Sequence, residues 1–132
     1  MAVIDASVAV RWFVYGPGND QAAPWLLRTD LIGPDLITAE VGNAFWQYVR
    51  RGHLKLEEAT AILMRLPECF SYLIAVQELI GDALLLAHQY DHPIYDCFYL
   101  ALGRRERAAI VTLDRKQASI ADRMGLEAEL LL

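Results

Sequence analysis

Lysine is almost missing from this sequence: of its 12 basic residues only Lys55 and Lys116 are lysines, and the 17 acidic residues leave a formal net charge of −5. That balance has the wrong sign for gripping a polyanion by bulk electrostatics, so any contact with nucleic acid has to be local. Cysteine is equally scarce. Cys69 and Cys97 stand far apart with no CxxC or Cys/His ligand spacing, which excludes a disulfide framework and a zinc site and reads as two free core thiols. With only 8 Gly and 5 Pro there is no low-complexity run, linker or repeat. No apolar stretch reaches the roughly 18 to 20 residues that span a bilayer, and Asp5 interrupts the one N-terminal run able to act as a signal segment, so the expected location is the cytosol. What is abundant is apolar residues, 55% of 132. Average chains have roughly 45 to 50%, and the length suits one domain, 1–132, with a sizeable core.

The patterning alternates strands and helices. Ala2 to Ile4 reads as a short strand ending at Asp5-Ala6-Ser7, which offers side-chain oxygens to cap a helix over Ser7 to Phe13. After Gly16-Pro17-Gly18, Asp20 is placed to cap a short helix from Gln21 to Arg28, and Leu31 to Gly33 is a second strand. Ile37, Val41, Ala44, Phe45 and Tyr48 carry a helical rhythm over Ile37 to Arg51, with Gly52 as its left-handed stop. Helices follow over Glu57 to Leu66, Glu78 to Tyr90, Tyr95 to Glu106 and Arg115 to Met124. Strands are expected at Tyr72 to Val76, at Ala109 to Thr112 and from Ala128 onward. The alternation predicts a three-layer α/β/α sandwich around a mostly parallel sheet.

In such sheets ligands bind beyond the carboxyl ends of the strands, where this chain places Asp5 and, after Val111-Thr112-Leu113, Asp114. Asp96 opens a predicted helix. Glu40 lies in the first turn of another, with Asn43 one turn on. Each of the three aspartates also reads as a helix cap, and Glu40 as a first-turn glutamate favoured by the helix dipole. Capping alone does not account for their polar company: Ser7 after Asp5, Thr112 before Asp114 and Asn43 beside Glu40, groups able to orient a carboxylate or a bound water.

The segments Val3-Ile4-Asp5-Ala6-Ser7, Ala39-Glu40-Val41-Gly42-Asn43-Ala44, Tyr95-Asp96-Cys97-Phe98-Tyr99-Leu100-Ala101-Leu102 and Ile110-Val111-Thr112-Leu113-Asp114-Arg115-Lys116 resemble, in order, the four acidic motifs of PIN domains, especially VapC-like toxins. The resemblance spans nearly the whole chain and departs from the family pattern at Cys97, where a small residue is usual. It implies a helix-sandwiched parallel sheet and divalent-metal-dependent endoribonuclease activity. It also implies a metal-binding quartet of Asp5, Glu40, Asp96 and Asp114 supported by Ser7, Asn43 and Thr112, homodimers, and a cognate antitoxin packing over the acidic site.

Elementary electrostatics leads to the same cofactor, because four carboxylates in one crevice repel one another unless a hard, oxygen-seeking cation such as Mg²⁺ or Mn²⁺ holds them. Asp5 and Asp96 are expected as direct ligands. Asp114 is expected as a ligand or water-bridged partner, and Glu40 as a ligand or the group orienting the attacking water. In-line attack on an RNA phosphodiester would leave 5′-phosphate and 3′-hydroxyl ends. Arg11, on the helix after Asp5, and Arg115, beside Asp114, are candidate phosphate contacts, as is Arg104 in the Arg104-Arg105-Glu106-Arg107 run. His53, His88 and His92 read as ordinary surface or core histidines. The adjacent aromatic pairs Trp12/Phe13 and Phe45/Trp46 cannot both face one buried stripe, so Trp12, Trp46 and Tyr48 are expected under a partner. Receiver domains and haloacid-dehalogenase-type phosphatases also gather carboxylates at strand ends. Ser7 stands where the phosphatase needs a second Asp, and neither lysine is placed to pair a phosphate. A non-catalytic module on the same fold, and a housekeeping nuclease without an antitoxin, remain as alternatives.

Overall fold

The computed structural model describes residues 1–132. Five short strands, β1 (Ala2–Ile4), β2 (Leu31–Pro34), β3 (Tyr72–Ile74), β4 (Ala109–Thr112) and β5 (Ala128–Leu130), form one sheet in the order β3-β2-β1-β4-β5. Every neighbouring pair is parallel. The connections carry α1 (Ala6–Phe13), α2 (Asn19–Ala22), α3 (Leu36–Arg50), α4 (Leu56–Arg65), α5 (Val76–Tyr90), α6 (Ile94–Glu106) and α7 (Arg115–Arg123). The chain steps outward from β1 to β3 and then returns across the sheet to β4. Right-handed crossovers therefore put α1, α3 and α4 on one face and α5, α6 and α7 on the other. This is the three-layer α/β/α architecture that the alternating pattern predicts, and the strand order reverses between β1 and β4.

Burial follows the patterning, since β1 and the inner strands β2 and β4 are apolar and almost wholly covered, as expected of a sheet with helices on both faces. Helix α6 departs from a simple amphipathic stripe because it is buried at every position from Cys97 to Gly103, wedged between the sheet and α5. Gly103 permits that close seating. A Cβ there would fall 2.5 Å from Ile110 Cδ1, at the amino end of the neighbouring strand.

Three boundaries differ from the sequence reading. The segment expected as a helix from Gln21 to Arg28 is split into α2 and a 3₁₀ turn over Ala23–Leu27, because Pro24 cannot continue an α-helical hydrogen-bond ladder. Gly18, in the left-handed region at φ 87°, occupies the cap position assigned to Asp20. Strand β3 stops at Ile74, and α5 begins two residues earlier than expected, at Val76, whose N–H is taken by Asp35 Oδ1 at 3.1 Å.

Helices α5 and α6 both end on a non-glycine residue in the left-handed region, Asp91 at φ 50° and Arg107 at φ 52°. In each case two successive N–H groups close back on the last turn. Arg107 is exposed and makes no ion pair, so its side chain contributes nothing that offsets the backbone penalty. Arg107→Gly is expected to raise the melting temperature by about 2 to 4 °C, from a net gain near 1 kcal/mol. An unchanged or lower melting temperature in thermal denaturation would refute it.

Candidate active site

The site grows out of strand register. Ile4 lies beside Val111 in the β1–β4 pair, which brings the next residues, Asp5 and Thr112, together at the carboxyl ends of both strands. Asp5 N–H donates to the Val111 carbonyl at 3.0 Å, prolonging the ladder by one bond. The Asp5 side chain is only 6% exposed, and its Oδ2 accepts two hydroxyl hydrogen bonds, from Thr112 Oγ1 at 2.6 Å and Ser7 Oγ at 2.8 Å. Each hydroxyl is aimed by a main-chain donor: Leu113 N–H reaches Ser7 Oγ at 3.0 Å, and Asp114 N–H reaches Thr112 Oγ1 at 3.0 Å. Asp5 thus sits at the cap position of α1 without capping it, its carboxylate being committed to the hydroxyls.

The other two aspartates part company on the same question. Asp114 does cap α7, its Oδ1 accepting from Lys116 N–H at 2.8 Å and Gln117 N–H at 3.4 Å. Asp96 lies inside the first turn of α6, where the cap position belongs to Pro93, and its Oδ2 is 3.5 Å from His92 Nε2. Glu40 stands in the second turn of α3, where Tyr99, from α6, donates its phenol to Oε1 at 2.6 Å.

The charges of the four acids reach one another. Burial is the main force raising the Asp5 carboxyl, with the Thr112 and Ser7 hydroxyls working against it and the charges of Asp96 and Asp114 adding to it. Glu40 is raised by burial, opposed by the Tyr99 bond and reinforced by Asp5 and Asp96. Asp96 is raised by burial, with His92 and Lys116 lowering it and Asp114 raising it. Tyr99, buried and beside Glu40, is held well above the usual phenol range and so remains a donor.

In each of the four carboxylates at least one oxygen accepts no hydrogen bond from the chain. No three of them are drawn close enough, in these rotamers, to grip a single ion. A set of free, mutually repelling carboxylate oxygens with no sulfur among them matches a hard divalent cation.

Other residues singled out from the sequence fall differently. Asn43 is exposed and hydrogen-bonds to none of the acids. Arg11 is occupied within the chain, donating to Tyr48 Oη at 2.9 Å and to the Pro17 and Val14 carbonyls. Arg104 projects from the far end of α6, eight residues and about 12 Å of helix beyond Asp96, where it lines a hollow with Ala109 and Gly125 at the amino edge of the sheet. Arg115 is exposed next to Asp114. Trp12 is already engaged by its own chain, donating to the Ala22 carbonyl at 3.0 Å and packing on Phe13 and Phe70. Tyr48 is half-buried, whereas Trp46 is 54% exposed.

Four contributors escaped the sequence reading: Tyr99, Lys116, His92 and Gln117. Helical spacing carried the signal for three of them, since Tyr99 and Gln117 stand three residues after Asp96 and Asp114, and His92 four before Asp96. Lys116, read from the sequence as not placed to pair a phosphate, is near enough to Asp96 to lower its carboxyl.

Residues 2–123 match the family model described as PIN domain. The chain belongs to the PIN domain family. It is 34% identical over 119 residues to Ribonuclease VapC3 of Pyrobaculum aerophilum, an alignment covering 88% of this chain and 91% of that protein. Three solved structures share the fold. PAE2754 from Pyrobaculum aerophilum superposes with a TM-score of 0.72 at 22% identity over 96% of this PIN domain and 87% of that chain. FitAcB from Neisseria gonorrhoeae gives 0.69 at 16% identity over 99% and 98%. A toxin-antitoxin complex from Klebsiella pneumoniae gives 0.66 at 18% identity over 89% of each chain.

The raised acids set a pH dependence for the metal-free protein. A carboxyl whose folded pKa lies above its unfolded value binds more protons folded than unfolded, so stability falls as pH rises from the ordinary values of 3.8 for Asp and 4.5 for Glu through the raised folded values. Without divalent cations, the PIN domain is therefore expected to melt higher at mildly acidic than at neutral pH. Asp5→Asn keeps an acceptor for both hydroxyls and should flatten that slope. Parallel melting curves for wild type and Asp5→Asn across the range would contradict the assignment.

Proposed function

We propose that this PIN domain, as one domain over residues 1–132, is a divalent-metal-dependent endoribonuclease acting in the cytosol as the toxin of a toxin–antitoxin pair. The observation that carries the reading is the meeting of Asp5, Glu40, Asp96 and Asp114 at the strand-order reversal, each with a free carboxylate oxygen, in a chain similar along most of its length to a ribonuclease. Asp5, Asp96 and Asp114, with Glu40, would hold Mg²⁺ or Mn²⁺, and such an ion would supply an activated water and charge neutralisation at the scissile phosphate.

The chain's own groups do the rest. Ser7 and Thr112 lock the Asp5 carboxylate so that one oxygen stays turned away from the protein. Tyr99 keeps one oxygen of Glu40 occupied and so orients the other. Lys116, near enough to Asp96 to lower its carboxyl, and Arg115, exposed beside Asp114, would receive RNA phosphates at the head of α7, in keeping with a net negative chain whose RNA contact is local. Hydrolysis by in-line attack gives 5′-phosphate and 3′-hydroxyl products.

Control by a cognate antitoxin follows from the same electrostatics: an arginine or lysine from the partner can replace the cation among the carboxylates, held bidentately by their free oxygens. Trp46 and the apolar hollow of about 390 Å³ lined by Phe13, Ala61, Ile62 and Leu66 supply surface for an amphipathic helix of that partner. A homodimer is part of the same reading.

Two outcomes test it. Cleavage of a structured RNA should require Mg²⁺ or Mn²⁺ and fall at least about 100-fold in Asp5→Asn, Asp96→Asn and Asp114→Asn, the loss of transition-state charge stabilisation being worth several kcal/mol. Equal cleavage in EDTA would overturn the metal-dependent assignment. Induced expression should arrest growth unless the neighbouring gene's product is co-expressed, and Asp5→Asn should abolish the arrest. Harmless expression of an active wild-type enzyme would leave a housekeeping nuclease in place of the toxin.

A further inference from the structure

Apart from the Tyr99 phenol and the Cys97 thiol, only four polar side chains are buried in this protein. Asp5 and Thr112 belong to the hydroxyl network. The other two, His92 and Gln117, touch each other and lie immediately behind Asp96 and Asp114. Gln117 is wholly covered, and its Nε2 donates to the Asp96 main-chain carbonyl at 2.9 Å, which fixes the amide so that Oε1 faces His92. His92 Nε2 is 2.7 Å from that Oε1, so its proton must sit on Nε2, and the same atom lies 3.5 Å from Asp96 Oδ2. The main-chain N–H of Gln117 points to Asp114 Oδ1 at 3.4 Å. Gln117 therefore holds Asp96 through its side chain and Asp114 through its backbone.

Two features suggest that this arrangement serves more than packing. His92 Nδ1 is the one buried side-chain polar atom without a hydrogen-bond partner, a cost that an apolar residue in the same space would avoid. Helices α6 and α7 otherwise pack little against each other, so Gln117, bonded to the Asp96 carbonyl of α6 and to His92 in the turn before it, is the principal tie between the segments that carry Asp96 and Asp114. The left-handed backbone at Asp91 turns the chain sharply enough to deliver His92 into this position.

We propose that His92 and Gln117 are positioning residues of the acidic site, setting the spacing of Asp96 and Asp114 that a shared cation requires. The proposal rests on the metal-dependent reading above. Neither residue is a ligand; both act through the groups they hold.

The test is Mn²⁺ binding to the full chain by titration calorimetry, with metal-free melting curves alongside. Gln117→Met keeps the volume and removes both amide hydrogen bonds, and it should weaken Mn²⁺ binding about 10- to 100-fold, as should His92→Leu. His92→Gln restores a donor near the Nε2 position and should recover affinity to within about threefold of wild type. Ile120→Ala, a buried change on α7 away from the acids, should lower the melting temperature while leaving Mn²⁺ affinity unchanged. If Gln117→Met does not fold, the His92→Leu and His92→Gln pair decides the matter. Wild-type affinity in Gln117→Met or His92→Leu, or a loss in His92→Gln as large as in His92→Leu, would overturn the positioning role alone. A wild-type protein that takes up no Mn²⁺ would overturn the metal-dependent reading and this proposal with it.

Discussion

The buried carboxylate of Asp5 is the constraint on which the rest of the site depends. Burying a carboxylate to 6% exposure is costly, and here two hydroxyl bonds to one of its oxygens offset part of that cost. Those hydroxyls are in turn aimed by the Leu113 and Asp114 N–H groups, so the turn that leaves β4 cannot shift without undoing Asp5. A one-residue slip between β1 and β4 would send the Thr112 side chain to the other face of the sheet and strand the carboxylate. Register, turn geometry and the position of Asp114 are thereby set together.

Three helix amino termini converge on the same edge: Asp5 at the head of α1, Asp96 in the first turn of α6 and Asp114 at the head of α7. The positive ends of their dipoles partly offset the clustered negative charge. They do not cancel it, since Asp5, Glu40 and Asp96 are all pushed up by burial and by the charge of at least one other acid of the four. The folded chain holds a repulsion that, under the proposed function, a divalent cation would relieve during catalysis and a basic side chain of an inhibitor would relieve in its place. Affinity for either counter-charge is thus built into the fold as a local loss of stability.

How much of this was legible in the sequence depended on whether the signal was local. Strand, acid, helix is a local grammar, so the sandwich, the parallel sheet and the strand-end placement of Asp5 and Asp114 could be read directly. Ser7 and Thr112 were legible because they stand two residues from the acids. Tyr99, His92 and Gln117 were not, because Tyr99 and Gln117 sit in segments that read as helix core and His92 in the turn between two helices, and their role arises only when α6 is laid against α3 and α7. Arg104 misled for a related reason: a basic run in the same helix as Asp96 looks adjacent along the sequence, yet the helix carries it to the opposite edge of the sheet. Asn43 shares a helix with Glu40 but faces solvent, and Trp12 was claimed by α2 before any partner could bury it.

The central claim is that the four acids make one cation site. Anomalous diffraction from crystals grown with Mn²⁺ tests it most directly. A single peak or a close pair is predicted among the carboxylates of Asp5, Asp96 and Asp114, with Glu40 bordering it and Ser7 and Thr112 still bonded to Asp5. A well-ordered acidic cluster with no Mn²⁺ peak, or Mn²⁺ found only elsewhere on the molecule, would contradict it.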